Sequence, residues 1–536
     1  MPEPAVALEP EIDPAIHARR WAILAVLCTS LMIVIIGNTA LNVAIPRLAE
    51  DLGASTTDLQ WMVDSYALVF AGMLFTAGTI GDRFGRKGTL QAGLVLFLAG
   101  TVFAAIGDSS AQVIGGRALM GLAAAFVMPS TLSILTNVFP AHERPKAIGV
   151  WAGISGGGAA LGPIASGWLL EHFWWGSVFL VNVPVIVVAL VAGRLLLPTS
   201  RDPEQPPLDI PGALLSIVGL GSLVYGIIEG PSHGWLSGQS LAIFGASFVV
   251  LGLFAWRELT ARHPMLDLRL FRDRRFSVAS GGMTLVFFAM FGTFFLVSQY
   301  FQLVLGYSAF ESGLFQLPMA LVMMAMAPLA PGLVARHGAA RVVPVGLGTV
   351  AVGLLLFSQM GTDTAIWWMY GPILCLAAGM SITMTPLTTL IMSSVSLGKA
   401  GVGSAMNDTT RELGGALGVA VLGSLLTSAC TSSIDGAVAG LAPGDRAVAE
   451  TGLVGAFHVA QRLGASGSGL VEAAKDAFMD GVHLAALTGA GVVVVAAVAA
   501  WKLLPRLSPA VELAEELDPI DTELGDLVDD LATVPG

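Results

Sequence analysis

The segment that decides the fold class is Gly78-Thr-Ile-Gly-Asp82-Arg83-Phe-Gly85-Arg86-Lys87-Gly-Thr-Leu90. It is densely charged and lies between two long apolar runs, as a tight cytoplasmic turn between two membrane helices does. Gly85 permits a sharp turn because a residue without Cβ can adopt a positive φ. Asp82 can accept hydrogen bonds from free N–H groups at a helix N-terminus, and Arg83, Arg86 and Lys87 can hold the loop at anionic headgroups.

Composition also indicates a polytopic membrane protein. The 536 residues are 55% hydrophobic and 12% charged, whereas a soluble protein has roughly 25% charged residues. The net charge of −12 is due largely to the acids of Glu512–Asp530, and nothing suggests nucleic-acid binding. The 3 cysteines and 8 histidines are scattered, so we expect no metal, no cofactor and no enzymatic activity.

A membrane span needs about 20 mostly apolar residues, and this measure predicts fourteen spans. Their approximate bounds are 21–45, 59–80, 89–107, 111–138, 146–170, 177–197, 211–229, 239–257, 276–302, 312–335, 342–359, 366–394, 403–430 and 481–504. With a cytoplasmic N-terminus, most of the 26 basic residues fall in cytoplasmic loops and termini, as the positive-inside rule requires. An odd number of spans would spoil this segregation.

The spans divide into six, two and six. Aligning Gly338 with Gly85 pairs Arg336 with Arg83, so a degenerate copy of the charged loop follows the tenth span. The expected organisation is a cytoplasmic N-terminus (1–20), an N-terminal six-helix bundle (21–197), linkers with an inserted helix pair (198–275), a C-terminal six-helix bundle (276–504) with an extracellular loop (431–480), and an acidic cytoplasmic tail (505–536). The fold class is therefore an all-α polytopic membrane protein.

Two ionisable residues lie inside predicted spans. Asp64 is about one turn from the outer end of the second span, and Arg117 is in the fourth span with no acid three or four residues away. Such residues are costly in lipid and usually face a cavity and carry function. We expect Asp64 to take up and release a proton. A wetted interfacial acid, and a tether from Arg117 to a backbone carbonyl, are the structural alternatives.

The fifth span contains Gly158-Ala-Ala-Leu-Gly162-Pro163-Ile-Ala-Ser166-Gly167. Glycines four residues apart let two helix backbones approach closely, and a proline removes one backbone donor. A general helix-packing face would explain the glycines alone, but it would not explain the Gly-Pro step.

These elements resemble those of the major facilitator superfamily. The charged loop resembles its G-x-L-a-D-r-x-G-r-k motif, Arg117-Ala-Leu-Met-Gly121 its fourth-helix R-x-x-x-G element, and Gly158–Gly167 its antiporter motif, with Ser166 in place of one glycine. With similar stretches elsewhere, the chain is identified as a member of the fourteen-helix drug:proton antiporter (EmrB/QacA-type) family. The resemblance implies two six-helix bundles plus two inserted helices, a gating role for the loop, and proton coupling through Arg117 with Asp64.

One departure from the family pattern concerns the first span. Relatives commonly have Asp two residues before Thr39, where this chain has Gly37, and the neighbouring Asn38 cannot titrate. Either Asp64 carries proton exchange alone or another acid joins it. The candidates are Glu229 at the outer end of the seventh span and the cluster of Asp408, Arg411 and Glu412, which is more simply interpreted as an intrahelical ion pair.

The hypothesis is a proton-coupled exporter of lipophilic drug-like compounds that works by alternating access, as a monomer in the plasma membrane with both termini cytoplasmic. Its partners are the substrate, protons and the bilayer. The substrate cavity is expected between the first, second, fourth and fifth helices and their C-terminal counterparts. Its candidate lining residues are Asn38, Trp61, Met62, Phe126, Glu229, Met290, Phe294, Gln299 and Met323. The alternatives are a proton-coupled or facilitated transporter of an endogenous metabolite or lipid, and a non-transporting membrane sensor or scaffold.

Overall fold

The computed structural model describes residues 13–202, 207–362, 364–449 and 452–505. Nearly all of them are helical, and no β-strand occurs within these ranges. Fourteen helices are long and apolar enough to cross a membrane. The prediction of an all-helical polytopic fold with fourteen spans is therefore confirmed. The acidic tail from 506 onward and residues 1–12 lie outside the described residues.

We number the spanning helices α1 to α14 in chain order. Each is a run of apolar residues whose backbone groups are bonded within the helix, because lipid offers them no partner. Their bounds are α1 Pro14–Thr39, α2 Thr56–Phe84, α3 Arg86–Ala105, α4 Ser110–Val138, α5 Arg144–His172, α6 Ser177–Leu196, α7 Ile210–His233, α8 Gly238–Thr260, α9 Arg274–Val304, α10 Phe310–His337, α11 Ala339–Phe357, α12 Ile366–Ser393, α13 Ala400–Val438 and α14 Ser468–Leu503.

Some helices end where the hydropathy pattern did not predict. The predicted first span, 21–45, is too long, because α1 stops at Thr39 and a separate amphipathic helix, Leu41–Leu52, follows. The helices that contain the predicted spans 403–430 and 481–504 extend beyond them into the predicted loop. The loop predicted at 431–480 holds the ends of α13 and α14 and two short helices, Pro443–Ala449 and Leu453–Leu463. Hydropathy marks the lipid boundary, whereas a helix with one apolar face can continue into water.

The spanning helices pack as two groups. Helices α1–α6 contact one another, and so do α9–α14. The two groups meet mainly where α2 packs against α13 and where α5 packs against α10. Helix α7 packs against both α2 and α13, and α8 packs against α7. The inserted pair therefore lies beside one of the two seams between the groups.

The charged loop and its degenerate copy make equivalent turns. Gly85, between α2 and α3, has φ +116°, and Gly338, between α10 and α11, has φ +77°. Both values lie in the left-handed half of φ space, where glycine is favoured. We call the end of the molecule that carries these two loops the basic end, and the other end the far end.

Candidate transport site

The basic end is closed at the α2–α13 seam by the charged loop. The carboxylate of Asp82 is buried and accepts hydrogen bonds from the backbone N–H groups of Gly401 (2.9 Å) and Val402 (3.2 Å), in the first turn of α13. These N–H groups have no partner inside their own helix, and the positive end of the helix dipole favours a carboxylate there. The sequence predicted that Asp82 can accept hydrogen bonds from N–H groups at a helix N-terminus, and the structure contains two such bonds.

Arg86 extends this closure across the seam. Its Nε donates to Asp82 Oδ1 at 2.9 Å, and its Nη2 donates to the carbonyl oxygens of Leu397 and Gly398, each at 2.7 Å. The side chain is almost completely buried. Because three of its N–H groups reach acceptors on both bundles, this arginine joins α3 of the first group to the segment before α13 of the second.

The linker after α6 also packs on this loop. The backbone N–H of Arg86 donates to Ser200 O at 3.0 Å, and that of Asp202 donates to Asp82 O at 2.6 Å. Lys87 Nζ donates to the carbonyl oxygens of Arg194 and Leu197 at 2.9 and 2.7 Å. Lys87 therefore binds the C-terminal end of α6, where cations are favoured.

The glycines of α5 bring the second seam into close contact. A Cβ built at Gly149 would lie 2.7 Å from Ala327 O, and one at Gly153 would lie 3.2 Å from Met324 Cα. Both positions are near the basic end, so α5 and α10 touch there at backbone distance. With α2 and α13 also joined, the basic end of the molecule is closed at both seams.

The residues of the predicted antiporter motif contact two different helices. Gly158 faces Ile35 and Gly162 faces Thr39, both on α1, whereas a Cβ at Gly167 would lie 2.9 Å from Phe310 Cβ of α10. Pro163 lies inside α5 and faces Gly313 of α10. The motif therefore fits α5 between α1 of its own bundle and α10 of the other bundle.

A partly open cavity lies between the two bundles. Its walls come from α1, α2, α4 and α5 and from α9, α10, α12 and α13, with neither α7 nor α8 among them. The lining residues are Val34, Ile35, Asn38, Thr39, Tyr66, Phe70, Met128, Ser155, Gly156, Phe287, Met290, Phe291, Phe294, Gln316, Met319, Ala320, Met323, Met384, Asp408, Arg411 and Glu412.

Aromatic rings and thioethers dominate this lining. Flexible, polarisable methionines adapt to ligands of different shape, and aromatic rings offer large flat contact areas. The polar groups are few and include two carboxyl groups, those of Asp408 and Glu412. A cavity of this kind suits a lipophilic molecule that carries a small number of polar or charged groups.

The charged cluster on α13 has one cation between two acids. Arg411 Nη1 lies 3.5 Å from Asp408 Oδ1, and Glu412 also interacts with the guanidinium electrostatically. Arg411 Nη2 donates to Ser155 Oγ of α5 at 2.6 Å, and the guanidinium lies over the rings of Trp151 and Phe287. The sequence favoured an ion pair within α13. The structure adds a contact between the two bundles, because Arg411 also bonds Ser155 of α5.

Asp64 lies toward the far end of α2, outside the central cavity. Since α2 begins at Thr56, Asp64 is about two turns inside the helix. It is half-buried and lines a separate pocket with Trp235, Phe295 and Ser424 among its other walls. Gln60 faces it from one turn earlier in α2, and Glu229 of α7 interacts with it electrostatically.

Arg117 is fully buried and bonded to neutral groups. Its Nε donates to Met62 O at 3.0 Å, its Nη1 to Gly37 O at 2.8 Å, and its Nη2 to Asn38 Oδ1 at 3.3 Å. Its guanidinium also lies 4.4 Å from the centre of the Tyr66 ring. Arg117 therefore ties α4 to α1 and α2, and it contacts the cavity lining through Asn38 and Tyr66.

Four of the nine predicted lining residues, Asn38, Met290, Phe294 and Met323, are in the cavity wall. The other five lie elsewhere. Trp61 stacks on Tyr225 of α7, and Met62 is completely buried. Phe126 faces Gly93 of α3, Gln299 lines a pocket near the far end, and Glu229 bonds Gln60. Residue type alone did not show which face of each helix points inward.

Sequence reasoning missed several residues of these sites. Tyr66, Ser155, Gln316 and Met319 line the cavity, and Gln60 links Asp64 to Glu229. Helical spacing offered one signal. Asp64 is two residues from both Met62 and Tyr66, so the three side chains cannot all lie on one face of α2. Placing Tyr66 on the same face as Phe70, four residues later, would have selected the side of α2 that faces the cavity.

Fourteen apolar helices in two groups around a central cavity define a multi-pass membrane protein with the architecture of a transporter. The model of the Major Facilitator Superfamily matches residues 27–419. The chain is 37% identical to the multidrug efflux pump LfrA of Mycolicibacterium smegmatis, over 89% of this chain and 95% of that protein. It is 32% identical to the tetracenomycin C resistance and export protein of Streptomyces glaucescens, over 94% and 95% of the two chains.

A third relative is the methyl viologen resistance protein SmvA of Salmonella typhimurium, at 33% identity over 91% of this chain and 99% of that protein. The chain therefore belongs to the major facilitator superfamily, and its relatives match the drug:proton antiporters identified from the motifs. Among solved structures, the human organic anion transporter MFSD10 has the same fold, with a TM-score of 0.58, 13% identity, and coverage of 91% of this chain and 100% of that chain.

Proposed function

We propose that this protein exports lipophilic drug-like molecules by alternating access, in exchange for protons that enter the cell. The observation that carries the proposal is the central cavity, which eight helices line with aromatic rings, thioethers and two carboxyl groups. Three relatives named for multidrug efflux, tetracenomycin C export and methyl viologen resistance support the same class of substrate.

Protons are the proposed energy source. An inward proton supplies about 2.3 kcal/mol per 100 mV of membrane potential, and the chain contains no nucleotide-binding G-x-x-x-x-G-K-[ST] motif. Asp64 is the proposed proton carrier because it is an acid inside a span that borders a pocket toward the far end. Arg117 supports it indirectly, since the carbonyl it binds, that of Met62, is only two residues away.

We propose that the basic end faces the cytoplasm. This end carries most of the basic residues, the charged loop and its copy, and the first and last described residues of the chain. The protein would then sit in the plasma membrane with the far end outside, so the closed basic end corresponds to a state that has turned away from the cytoplasm. One chain holds both bundles and the whole cavity, which supports function as a monomer.

Reconstitution into proteoliposomes tests this function. Vesicles are loaded with a panel of lipophilic dyes, antibiotics and lipids, and a pH jump is imposed across the membrane. We expect dye movement into the acidic compartment, abolished by a protonophore. Transport that continues unchanged after every ion gradient has collapsed would contradict proton coupling.

The direction of flux separates the proposed exporter from an importer of a metabolite or lipid. An antiporter moves substrate against the flow of protons, whereas a symporter moves both in the same direction. Flux of substrate with protons would therefore replace the proposal by the importer. Absence of flux for the whole panel, from protein that binds none of it, would favour a non-transporting role.

A further inference from the structure

One amide connects two acids at the far ends of α2 and α7. Gln60 Nε2 donates a hydrogen bond to Glu229 Oε1 at 3.2 Å. The same side chain faces the carboxylate of Asp64, and Asp64 and Glu229 interact electrostatically. A primary amide has two N–H donors, so Gln60 can bond both carboxylates at once. Helix α7, the first of the inserted pair, thus places the carboxylate of Glu229 close enough to interact with Asp64.

Among the described residues, one basic side chain, that of His233, faces these acids. His233 Nδ1 lies 3.1 Å from Glu229 Oε2, and the imidazole is partly exposed. Helix α13 presents the neutral Ser424 and Thr427 to the pocket, and α9 presents Phe295. Arg117 of α4 is occupied by carbonyl groups. Among the described residues, no arginine or lysine forms an ion pair with either acid, so their mutual repulsion is relieved best by a proton.

The space around Gly37 of the first helix is filled by other side chains. A Cβ built at Gly37 would lie 2.7 Å from Phe97 Cζ and 3.3 Å from Met120 Cε. A carboxylate would fit there only if the side chains of Phe97 and Met120 moved aside. Gly37 is therefore packed as glycine, and Glu229 offers a second acid from another helix.

Helix α7 and the residues just after it contact both bundles. On one side, Tyr225 stacks on Trp61 of α2 at 6.2 Å, beside Gln60. On the other side, Trp235, just after α7, donates from Nε1 to Ser424 Oγ of α13 at 3.1 Å. When α2 and α13 move relative to each other, either the bond to Ser424 or the bond between Gln60 and Glu229 has to change.

We propose that the inserted helix pair completes the proton-binding site, with Asp64 and Glu229 sharing one proton under the control of Gln60. This inference rests on the proposed proton-coupled export. One proton enters from outside water and binds one carboxylate. It leaves as a hydrated proton when the bundles open toward the basic end. Glu229 is thus a second acid of the coupling site rather than a residue of the substrate cavity.

The test uses reconstituted full-length protein and a dye that the wild type transports. For Glu229→Gln we expect pH-driven export to fall at least tenfold, while dye binding and dye–dye exchange without a gradient are retained. Purified wild type should release a proton when it binds the dye, measured with a pH indicator, and Glu229→Gln should release fewer. A purely structural role of Glu229 would not change the proton count.

Two variants serve as controls. Glu171→Gln, at an exposed acid near the far end of α5, should export and release protons as the wild type does. Gln60→Leu keeps both acids but removes their link, and its export should have an altered pH profile even if Glu229→Gln fails to fold. Wild-type export and proton release in both Glu229→Gln and Gln60→Leu would overturn this inference and leave proton-coupled export intact. Absence of pH-driven export in the wild type would instead overturn the proposed function.

Discussion

Asp64 and Asp82 lie on the same helix, eighteen residues and therefore about 27 Å apart, yet their surroundings differ completely. Asp82 is buried at the basic end and accepts hydrogen bonds from two N–H groups of α13 and from Arg86. Asp64 is half-buried near the far end, beside a pocket, with an amide and a second acid as neighbours. One aspartate is held by fixed positive groups, and the other is not.

The difference shows how α2 can carry out two tasks. Every donor of Asp82 bonds the charged form, so this residue is suited to hold a closed conformation. Asp64 lacks such donors among the described residues apart from Gln60, which fits its proposed role as the proton carrier. Variants of the two aspartates and of their neighbours should separate a fixed charge from an exchangeable one.

The largest effect is expected for Asp64→Asn. Removing the exchangeable acid should reduce pH-driven export to the level of vesicles without protein, because asparagine cannot bind a proton at neutral pH. Dye binding, measured by fluorescence in detergent, should be retained, since Asp64 is not in the cavity wall. Full pH-driven transport by this variant would remove Asp64 from the role of proton carrier.

A large but incomplete effect is expected for Asp82→Asn. A hydrogen bond to a charged group contributes about 1.5–3 kcal/mol. The equilibrium between the conformations with the basic end closed and open should therefore shift roughly tenfold to hundredfold toward the open one. The first turn of α13 would lose the negative charge and one of its two acceptor oxygens, because asparagine offers only Oδ1 to the N–H groups of Gly401 and Val402. Hydrogen–deuterium exchange of the peptide containing Gly401 and Val402 should therefore accelerate, and export should slow without being abolished. Unchanged exchange would show that another contact closes this seam.

A smaller effect is expected for Arg86→Lys. The lysine keeps the positive charge, but it cannot reproduce the planar fork that reaches Asp82, Leu397 and Gly398 together. Amide exchange in the same peptide should fall between that of the wild type and that of Asp82→Asn. Exchange as fast as in Asp82→Asn would mean that Arg86 contributes most of the closure.

The smallest effect is expected for Glu143→Gln, at an acid of the same basic end. Glu143 pairs with Arg20 at 2.6 Å, but both side chains are partly exposed and both belong to the first bundle. Exposed ion pairs contribute about 0.2–1 kcal/mol, so the thermal unfolding midpoint should change little. Amide exchange at Gly401 should not change, because this pair does not bridge the bundles.

Much of the fold could be predicted because it depends on local patterns. Apolar runs of span length, the charged loop and the glycine-proline step identified fourteen helices and the family. The bond between Gln60 and Glu229 could not be predicted, since it joins residues 169 positions apart. Two of the three hydrogen-bond partners of Arg117 are backbone carbonyls, which every residue has, so no side-chain pattern could identify these two.

The contact between Gly78 and Gly401 has a practical consequence. A Cβ at either residue would lie 2.6 Å from the carbonyl oxygen of the other, so the two backbones touch with no side chain between them. A single added methyl group, as in Gly401→Ala, should prevent α2 and α13 from packing fully together, so that the basic end stays partly open. Such a variant would offer a stalled conformer for cryo-electron microscopy and for selecting inhibitors that enter from that side.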